Sequence, residues 1–270
     1  MARRFSIGRL SSRLRAAPAW ARYALGTLAL VGGLLLVNWS YQVWRKPSEV
    51  FFLAGTVSRS PSQTWREYAP LFERYATATS TPELLAALAQ VEGAGNPLAH
   101  TSWRWRFTHQ PFEIYRPASS AVGMYQITDG TFREARRYCI RDHAVVEDGP
   151  WDDWKSCWFN SLYTRVVPSH AVEMTAALLD RQANEIAGRQ KARPSLQQRQ
   201  DLAAVIHLCG AGAGRAYAQR GFRPAASQAC GEHDLRAYLA QVNTMKRLFG
   251  RLGAAEDRGK ASGGGSWESS

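Results

Sequence analysis

The residue with the clearest potential for chemistry is Glu92, the last residue of Thr81-Pro-Glu-Leu-Leu-Ala-Ala-Leu-Ala-Gln-Val-Glu92. Thr81 suits an N-cap and the next proline suits the first turn, so the segment predicts a helix whose phase can be read. Glu92 follows Leu88 by four residues and therefore shares its apolar face. A carboxyl group on such a face is partly removed from water, which favours the protonated form that a general acid needs. Taken alone, a glutamate here is expected to point to solvent at a frayed helix end, before the Gly93-Ala-Gly95-Asn-Pro97 break.

Two later blocks favour the catalytic interpretation of Glu92. The first is Gly123-Met-Tyr-Gln-Ile127, followed by Gly130-Thr131, and the second is His207-Leu-Cys-Gly-Ala-Gly212. With Val91-Glu-Gly-Ala-Gly-Asn-Pro97, they resemble the lytic transglycosylases of the soluble (SLT) type, which belong with the lysozyme-like and goose-type lysozyme superfamily. That family has Glu-Ser before a Gly/Asn/Pro turn, then Gly-Leu-Met-Gln-Leu, then Tyr-Asn-x-Gly-x-Gly. The resemblance covers residues 81–217, about half of the chain, and its second block is the most specific.

The resemblance implies a mostly α, lysozyme-like domain that binds the glycan of bacterial peptidoglycan. Glu92 is then the catalytic residue. The residues implied in substrate binding are Gly123, Met124, Tyr125, Gln126, Ile127, His207 and, from the segment between the blocks, Tyr115. The chain departs from the family at Gly93, which replaces serine, and at His207-Leu208, which replaces Tyr-Asn. The resemblance implies that the His207 imidazole contacts the acid or the sugar in place of the family's tyrosine.

The number of candidate carboxylates predicts the reaction. Ordinary glycosidases place two carboxyl groups across the scissile bond, whereas Glu92 alone stands in a family-matching position. The other candidates lie in loops whose spacing does not pair them with Glu92: Glu113, Asp129, Asp142, Asp152 and Asp153. A single acid/base suits the family's reaction, which cleaves the bond after N-acetylmuramate and leaves a 1,6-anhydro end. A hydrolytic goose-type lysozyme and an inactive glycan-binding subunit of an envelope-spanning machine are the alternatives.

The charge distribution points to a membrane. The formal net charge is +12, but eight basic residues fall in the first 46 positions, which hold no acidic residue, so the remainder carries +4. That small excess suits an anionic wall polymer. The segment 20–44 contains an uncharged core over 23–37 and reaches the roughly 20 residues needed to cross a bilayer.

We expect an uncleaved anchor in the bacterial inner membrane, because no small-x-small cleavage site follows residue 37. A cleaved signal peptide is the alternative. The basic N-terminus would stay cytoplasmic, while aromatic residues mark both interfaces. In either case the catalytic region is expected in the periplasm.

The four cysteines agree with export. Cys139, Cys157, Cys209 and Cys230 lack Cys-x-x-Cys spacing and have no histidines at zinc-like intervals, so we expect no metal site. An oxidising periplasm favours two disulfides. Three connectivities are open, and local closure favours Cys139 with Cys157 and Cys209 with Cys230. Four free thiols in a reducing compartment are the alternative.

An aromatic and basic segment separates the first two blocks, Trp103-Arg-Trp-Arg-Phe-Thr-His-Gln-Pro-Phe-Glu-Ile-Tyr115. Such a pattern also suits single-stranded nucleic acid. Between two lysozyme-like blocks we favour sugar packing on the rings and arginine pairing with wall carboxylates, with a core-packing lid as the alternative. Trp151, Trp154 and Trp158 are expected in the core. We therefore expect glycan strands, the inner membrane and a secretion, conjugation or division complex as partners, with no nucleic acid and no cofactor.

Periodicity and turn signals divide the chain. We predict a basic N-terminus at 1–19, the anchor at 20–44, a linker at 45–62, the catalytic domain at 63–253 and a disordered tail at 254–270. Helices are predicted at 65–75, 81–92, 131–138, 171–190, after the Ser195 to Gln198 capping box, and at 235–248. No strand pairing is predicted.

Overall fold

The computed structural model describes residues 18–46, 56–153, 155–225 and 227–263. The chain forms two compact units, one from residues 1–50 and 103–118 and the other from 51–102 and 119–270. The segment 103–118, called here the aromatic insertion, therefore groups with the N-terminal helix, whereas the sequence placed it within the catalytic domain. The predicted cytoplasmic residues 1–17 and the linker residues 47–55 lie outside the described residues.

The described chain is mostly helical, as predicted. The helices are α1 Ala19–Arg45, α2 Pro61–Arg74, α3 Pro82–Gly93, α4 Asp129–Ala135, α5 Pro168–Gly188, α6 Leu196–Gln219 and α7 Leu235–Gly263. Within the described ranges, three antiparallel hairpins pair β1 Trp103–Trp105 with β2 Tyr115–Pro117, β3 Tyr138–Arg141 with β4 Ala144–Glu147, and β5 Ala229–Cys230 with β6 His233–Asp234. The prediction of no strand pairing was wrong, because strands of two to four residues are too short to show a period-two pattern.

The first unit contains α1, whose 27 residues include a window apolar enough to cross a membrane, with none of that window buried. At 1.5 Å per residue this helix is about 40 Å long, more than the roughly 30 Å of a hydrocarbon core. The hairpin β1–β2 belongs to the same unit, with Trp103 opposite Pro117 and Trp105 opposite Tyr115.

The core of the second unit surrounds α3. Its residues 84–89 are all buried, and the helix packs on α2 and α7, while α5 packs on α6. Three of these six residues are alanines, which let neighbouring helices approach from every side. The sequence indicated one apolar face, but the helix is buried all round. Glu92 therefore stands at the end of the most enclosed helix of this unit.

The helix ends show which local signals were reliable. The predicted capping box of Ser195 with Gln198 is present at the start of α6. Helix α7, however, continues to Gly263, so the predicted disordered tail was wrong over residues 254–263, and residues 264–270 lie outside the described residues. The Lys260 ammonium bridges Glu256 at 3.0 Å along this extension, and Trp65 packs close to Gly253.

Two of the tryptophans expected in the core are exposed. Trp151 and Trp158 are exposed to solvent, and Trp154 lies outside the described residues. The segment around them is a loop followed by a short 3-10 helix, so the helical spacing on which the prediction rested is not realised.

A buried carboxylate ties the β3–β4 hairpin to α5. Glu173 accepts hydrogen bonds from the Ile140 N–H at 2.9 Å and from the Tyr163 hydroxyl at 2.5 Å. His170, stacked on Tyr163 with ring centroids 4.1 Å apart, accepts the Thr164 N–H on Nδ1 at 3.2 Å. Burial lowers the pKa of His170, with Glu173 acting weakly in the opposite direction. The neutral imidazole is therefore the form that fits this packing.

Both predicted disulfides are confirmed. Cys139 pairs with Cys157, and Cys209 pairs with Cys230. The second bridge links α6 to β5 across 21 residues of sequence.

Candidate active site

The end of α3 fixes the position of Glu92. Ala94 adopts a left-handed conformation with φ 47°, followed by Gly95 with φ 67°, and these residues stop the helix. Just before them, Gly93 lies against the backbone of the second block. A Cβ added at Gly93 would stand 2.7 Å from the Met124 Cα, so no side chain fits without displacing that backbone. This contact accounts for glycine where the resembling family has serine.

The turn over residues 123–127 is held by its own backbone geometry. Gly123 has φ 81°, and a Cβ there would collide with the Arg165 carbonyl oxygen. Its N–H donates to the Ala99 carbonyl at 2.7 Å. Gln126 also has a positive φ, 46°, and its side-chain amide donates to the Gly123 carbonyl at 2.9 Å. The Gln126 side chain is therefore fixed at the surface of the turn, where it lines the cleft described below.

Arg165, which the sequence did not single out, secures the same segment from outside. Its guanidinium donates to the Ser120 carbonyl at 2.8 Å and to the Ile127 carbonyl at 3.0 Å, and pairs with Asp129 at 2.8 Å. The turn is thus held between α3 and Arg165.

Three of the residues predicted to bind substrate are core residues. Met124 and Tyr125 are fully buried and Ile127 is nearly so. The Tyr125 hydroxyl donates to the Leu85 carbonyl at 3.1 Å. Because these side chains fill the space beside α3, the structure places them behind the site rather than against a substrate, and only Gln126 of this block combines a polar side chain with access to the cleft.

Tyr238 is the main residue that the sequence analysis missed. Its hydroxyl donates to Glu92 Oε1 at 2.6 Å from α7. Burial, and then the negative charge of Glu92, raises the pKa of Tyr238 well above its usual value, so the phenol stays protonated and acts as the donor. The sequence does contain a signal for this residue. Tyr238 shares the apolar face of Leu235, Leu239 and Val242, and its hydroxyl is the polar group on that face.

His207 approaches the acid without a hydrogen bond. Its Nε2 is 3.7 Å from Glu92 Oε1, and the imidazole side chain is 9% exposed against 16% for the carboxylate side chain. It lies one turn before the break of α6 at Gly210, which has φ 81°. The adjacent Cys209 is bridged to Cys230, and both cysteines line the cleft. Since Tyr238 and His207 both face Oε1, Oε2 is the oxygen available to a bound substrate within the described contacts.

Glu92 opens into a cleft of about 820 Å³. A second, smaller pocket of about 210 Å³ adjoins it, sharing Gln126, Thr128 and His207 as lining residues. Among the described residues that line the larger cleft, Glu92 is the sole carboxylate. The remaining polar lining consists of hydroxyls, amides and imidazoles, which are groups suited to a neutral polyhydroxylated ligand.

The other candidate carboxylates lie elsewhere. Asp129 pairs with Arg165 at the start of α4. Asp142 occupies the β3–β4 turn, and Asp152 and Asp153 lie in the loop before the short 3-10 helix. Glu113 belongs to the first unit, where it pairs with Arg45 and Arg116.

Tyr115, the remaining predicted substrate ligand, is also in the first unit, where its ring stacks on Trp105 with centroids 4.6 Å apart. Within the described residues, no group of three or more histidine, cysteine, aspartate or glutamate side chains is arranged to hold a metal ion.

Comparison with known proteins adds no relative: no family model, no curated protein and no solved structure matches the chain.

Proposed function

We propose that this protein is a membrane-anchored peptidoglycan lytic transglycosylase. The observation that carries the proposal is the setting of Glu92, a carboxylate at the end of a buried helix, held by a buried phenol and facing a cleft with no second carboxylate among its described lining residues. The three sequence blocks that resemble the family meet there, since Glu92, Gln126 and His207 all line the cleft. The lysozyme-like fold is part of the same proposal.

The reaction uses one group twice. Glu92 first protonates the glycosidic oxygen between N-acetylmuramate and N-acetylglucosamine, and the bond from that oxygen to the muramate C1 breaks. The resulting carboxylate then takes the proton of the muramate 6-hydroxyl as that oxygen bonds to C1. The products are a free 4-hydroxyl and a 1,6-anhydro ring, and Glu92 regains its proton without consuming water. Tyr238 serves as a positioning residue, because its hydrogen bond fixes the carboxyl plane.

Hydrolysis is the second candidate reaction. An inverting or retaining hydrolase needs a second carboxylate within about 5 to 9.5 Å of the first, to activate water or act as a nucleophile. The lining of the larger cleft supplies none, and Glu134 of the adjoining pocket accepts a hydrogen bond from Gln182 at 2.7 Å, which favours transglycosylation. An inactive glycan-binding subunit is the third candidate, but binding alone does not require a carboxylate with a dedicated phenol donor.

The same proposal includes the location of the protein. Helix α1 is apolar enough to span a membrane, and two disulfides suit an oxidising compartment. We place α1 in the bacterial inner membrane, with the basic N-terminus in the cytoplasm and the unit that carries Glu92 in the periplasm.

The test is the cleavage of purified peptidoglycan by the full chain in detergent. Glu92→Gln removes the proton but keeps the shape, so it should abolish cleavage while sedimentation with sacculi persists. Glu83→Gln makes the same change in the first turn of α3 and should cleave like the parent. Cleavage by Glu92→Gln within a few-fold of the parent would show that Glu92 is not the acid.

A further inference from the structure

The aromatic insertion is fastened to one end of α1. Two amide side chains of the helix donate to main-chain carbonyls of the insertion: Asn38 Nδ2 to Tyr115 at 2.8 Å and Gln42 Nε2 to Phe112 at 2.6 Å. Gln42 is 5% exposed although it lies on a helix that is otherwise largely exposed. These bonds depend on the path of the insertion backbone, so they fix its placement beside the helix.

A ring contact and an ion pair complete this attachment. Tyr41 packs on Phe112 with ring centroids 4.9 Å apart. Arg45 pairs with Glu113 at 2.8 Å and, with smaller contributions from Arg116 and Arg106, lowers the pKa of that carboxyl. The helix residues involved are spaced as 38, 41, 42 and 45, which is one face of a helix. The last two turns of α1 therefore present a face that holds the insertion.

The position of this face along α1 sets its depth in a membrane. The apolar run of the helix ends at residue 37, and the insertion contacts begin at Asn38, the first of the polar residues that follow it. Because α1 is about 40 Å long and the hydrocarbon core of a bilayer about 30 Å thick, about 10 Å of helix remains when the Ala19 end lies at the opposite interface, so the last two turns project into the headgroup region. Trp39 and Trp44, both exposed on those turns, are residues of the kind found at that level.

The tip of the insertion carries side chains that suit the same layer. Trp105 is 69% exposed and Phe107 is fully exposed, and the arginines at 104 and 106 are exposed beside them. Large aromatic rings next to cations match the membrane interface, where rings sit among headgroups and arginine meets lipid phosphates.

We propose that the aromatic insertion is a membrane-docking element whose Trp105 and Phe107 enter the interface of the leaflet in which α1 ends. This inference rests on the proposed anchoring by α1. It is an alternative to the expectation that the insertion packs on sugar, and it rests on the contacts of the insertion with α1. The expected occupant is a lipid headgroup layer containing anionic phosphates.

The test uses the full chain with Phe107→Cys, labelled with an environment-sensitive dye and reconstituted into phosphatidylcholine and phosphatidylglycerol vesicles. Quenchers are lipids with a spin label near the headgroup. In vesicles, the dye at residue 107 should emit at a shorter wavelength than the free dye does in water. The spin label should quench most of that emission. The matched control is Lys191→Cys, an exposed site in the loop between α5 and α6, whose dye should stay unquenched.

Flotation of the vesicles separates the two proposals. A chain that floats but shows no quenching at residue 107 would overturn the docking inference and leave the anchor intact. A chain that fails to float would overturn the anchor and the docking inference together. A spectral shift that needs added glycan strands instead of lipid would show that the insertion is a sugar platform. Adding Gln42→Ala to the labelled variant should weaken quenching, because it removes one of the two side-chain hydrogen bonds that hold the insertion backbone beside α1.

Discussion

Replacing Tyr238 with phenylalanine removes one hydroxyl and tests the positioning of the acid. That hydroxyl donates to Glu92 Oε1 at 2.6 Å, a short bond to an ionisable acceptor. Hydrogen bonds to charged groups contribute about 1.5 to 3 kcal/mol, which corresponds to roughly 10- to 100-fold in a rate if the bond acts in the transition state. Because 16% of the Glu92 side chain is exposed, water can replace part of the lost bond. We therefore expect the lower end, a fall of about tenfold in kcat.

The assay is release of soluble muropeptides over a range of sacculus concentrations, so that kcat and KM are obtained separately. We expect KM to change little, since the hydroxyl that is removed donates to Glu92 and the ring that lines the cleft is kept. The matched control is Tyr217→Phe, which alters another buried tyrosine that does not line the described cleft. Equal losses in both variants would assign the effect to packing, and a kcat for Tyr238→Phe within twofold of the parent would refute the positioning role.

Four further changes probe the surroundings of the site. Gly93→Ser should destabilise the fold by about 1 to 3 kcal/mol in urea unfolding, because its Cβ meets the Met124 backbone; an unchanged midpoint would contradict the close approach. Cys230→Ser opens a bridge spanning 21 residues and should cost about 3 kcal/mol; a reductant, which also opens Cys139–Cys157, should destabilise the parent by more than it destabilises the variant, and equal losses would contradict this. His207→Tyr should still cleave peptidoglycan, because the imidazole stands 3.7 Å from Glu92 Oε1 without a hydrogen bond and the family that the chain resembles carries tyrosine at this position; loss of cleavage with an unchanged urea midpoint would show that the imidazole itself is required. Burial lowers the pKa of His170 in the folded state, so the stabilising contribution of its neutral form is complete above the pKa of the unfolded chain and is lost as the pH falls towards the folded pKa. The melting temperature of the parent should therefore fall between pH 7.5 and 5 more steeply than that of His170→Asn. Equal pH dependence of the two melting temperatures would contradict this.

The sequence predicted the local features of this protein well. The Ser195 capping box and both disulfide pairings follow from short-range signals that need no tertiary knowledge, and they are present. The start and end of α3 differ from prediction by one residue, because Pro82 and the following glycine break are strong punctuation.

Short-range sequence signals did not predict the contacts between residues that are far apart in the chain. Tyr238 lies 146 positions after the carboxylate to which it donates, and periodicity placed it only on an apolar face. The resemblance implies substrate binding by the second block, but Tyr125 is fully buried, because its side chain packs beside the buried helix α3. The aromatic insertion was interpreted by composition, which suits sugar, nucleic acid and lipid headgroups alike. The hydrogen bonds from Asn38 and Gln42, which place the insertion beside α1, could not be read from composition.

The most direct test of the central claim is mass analysis of the soluble products released from purified peptidoglycan by the full chain in detergent. The account predicts muropeptides with 1,6-anhydro ends, each lighter by one water than its hydrolysed counterpart, and no products from Glu92→Gln. Reducing N-acetylmuramate ends would show hydrolysis by a carboxylate outside the described cleft. Binding to sacculi with no released muropeptide from the parent chain would contradict the assignment of Glu92 as a catalytic acid.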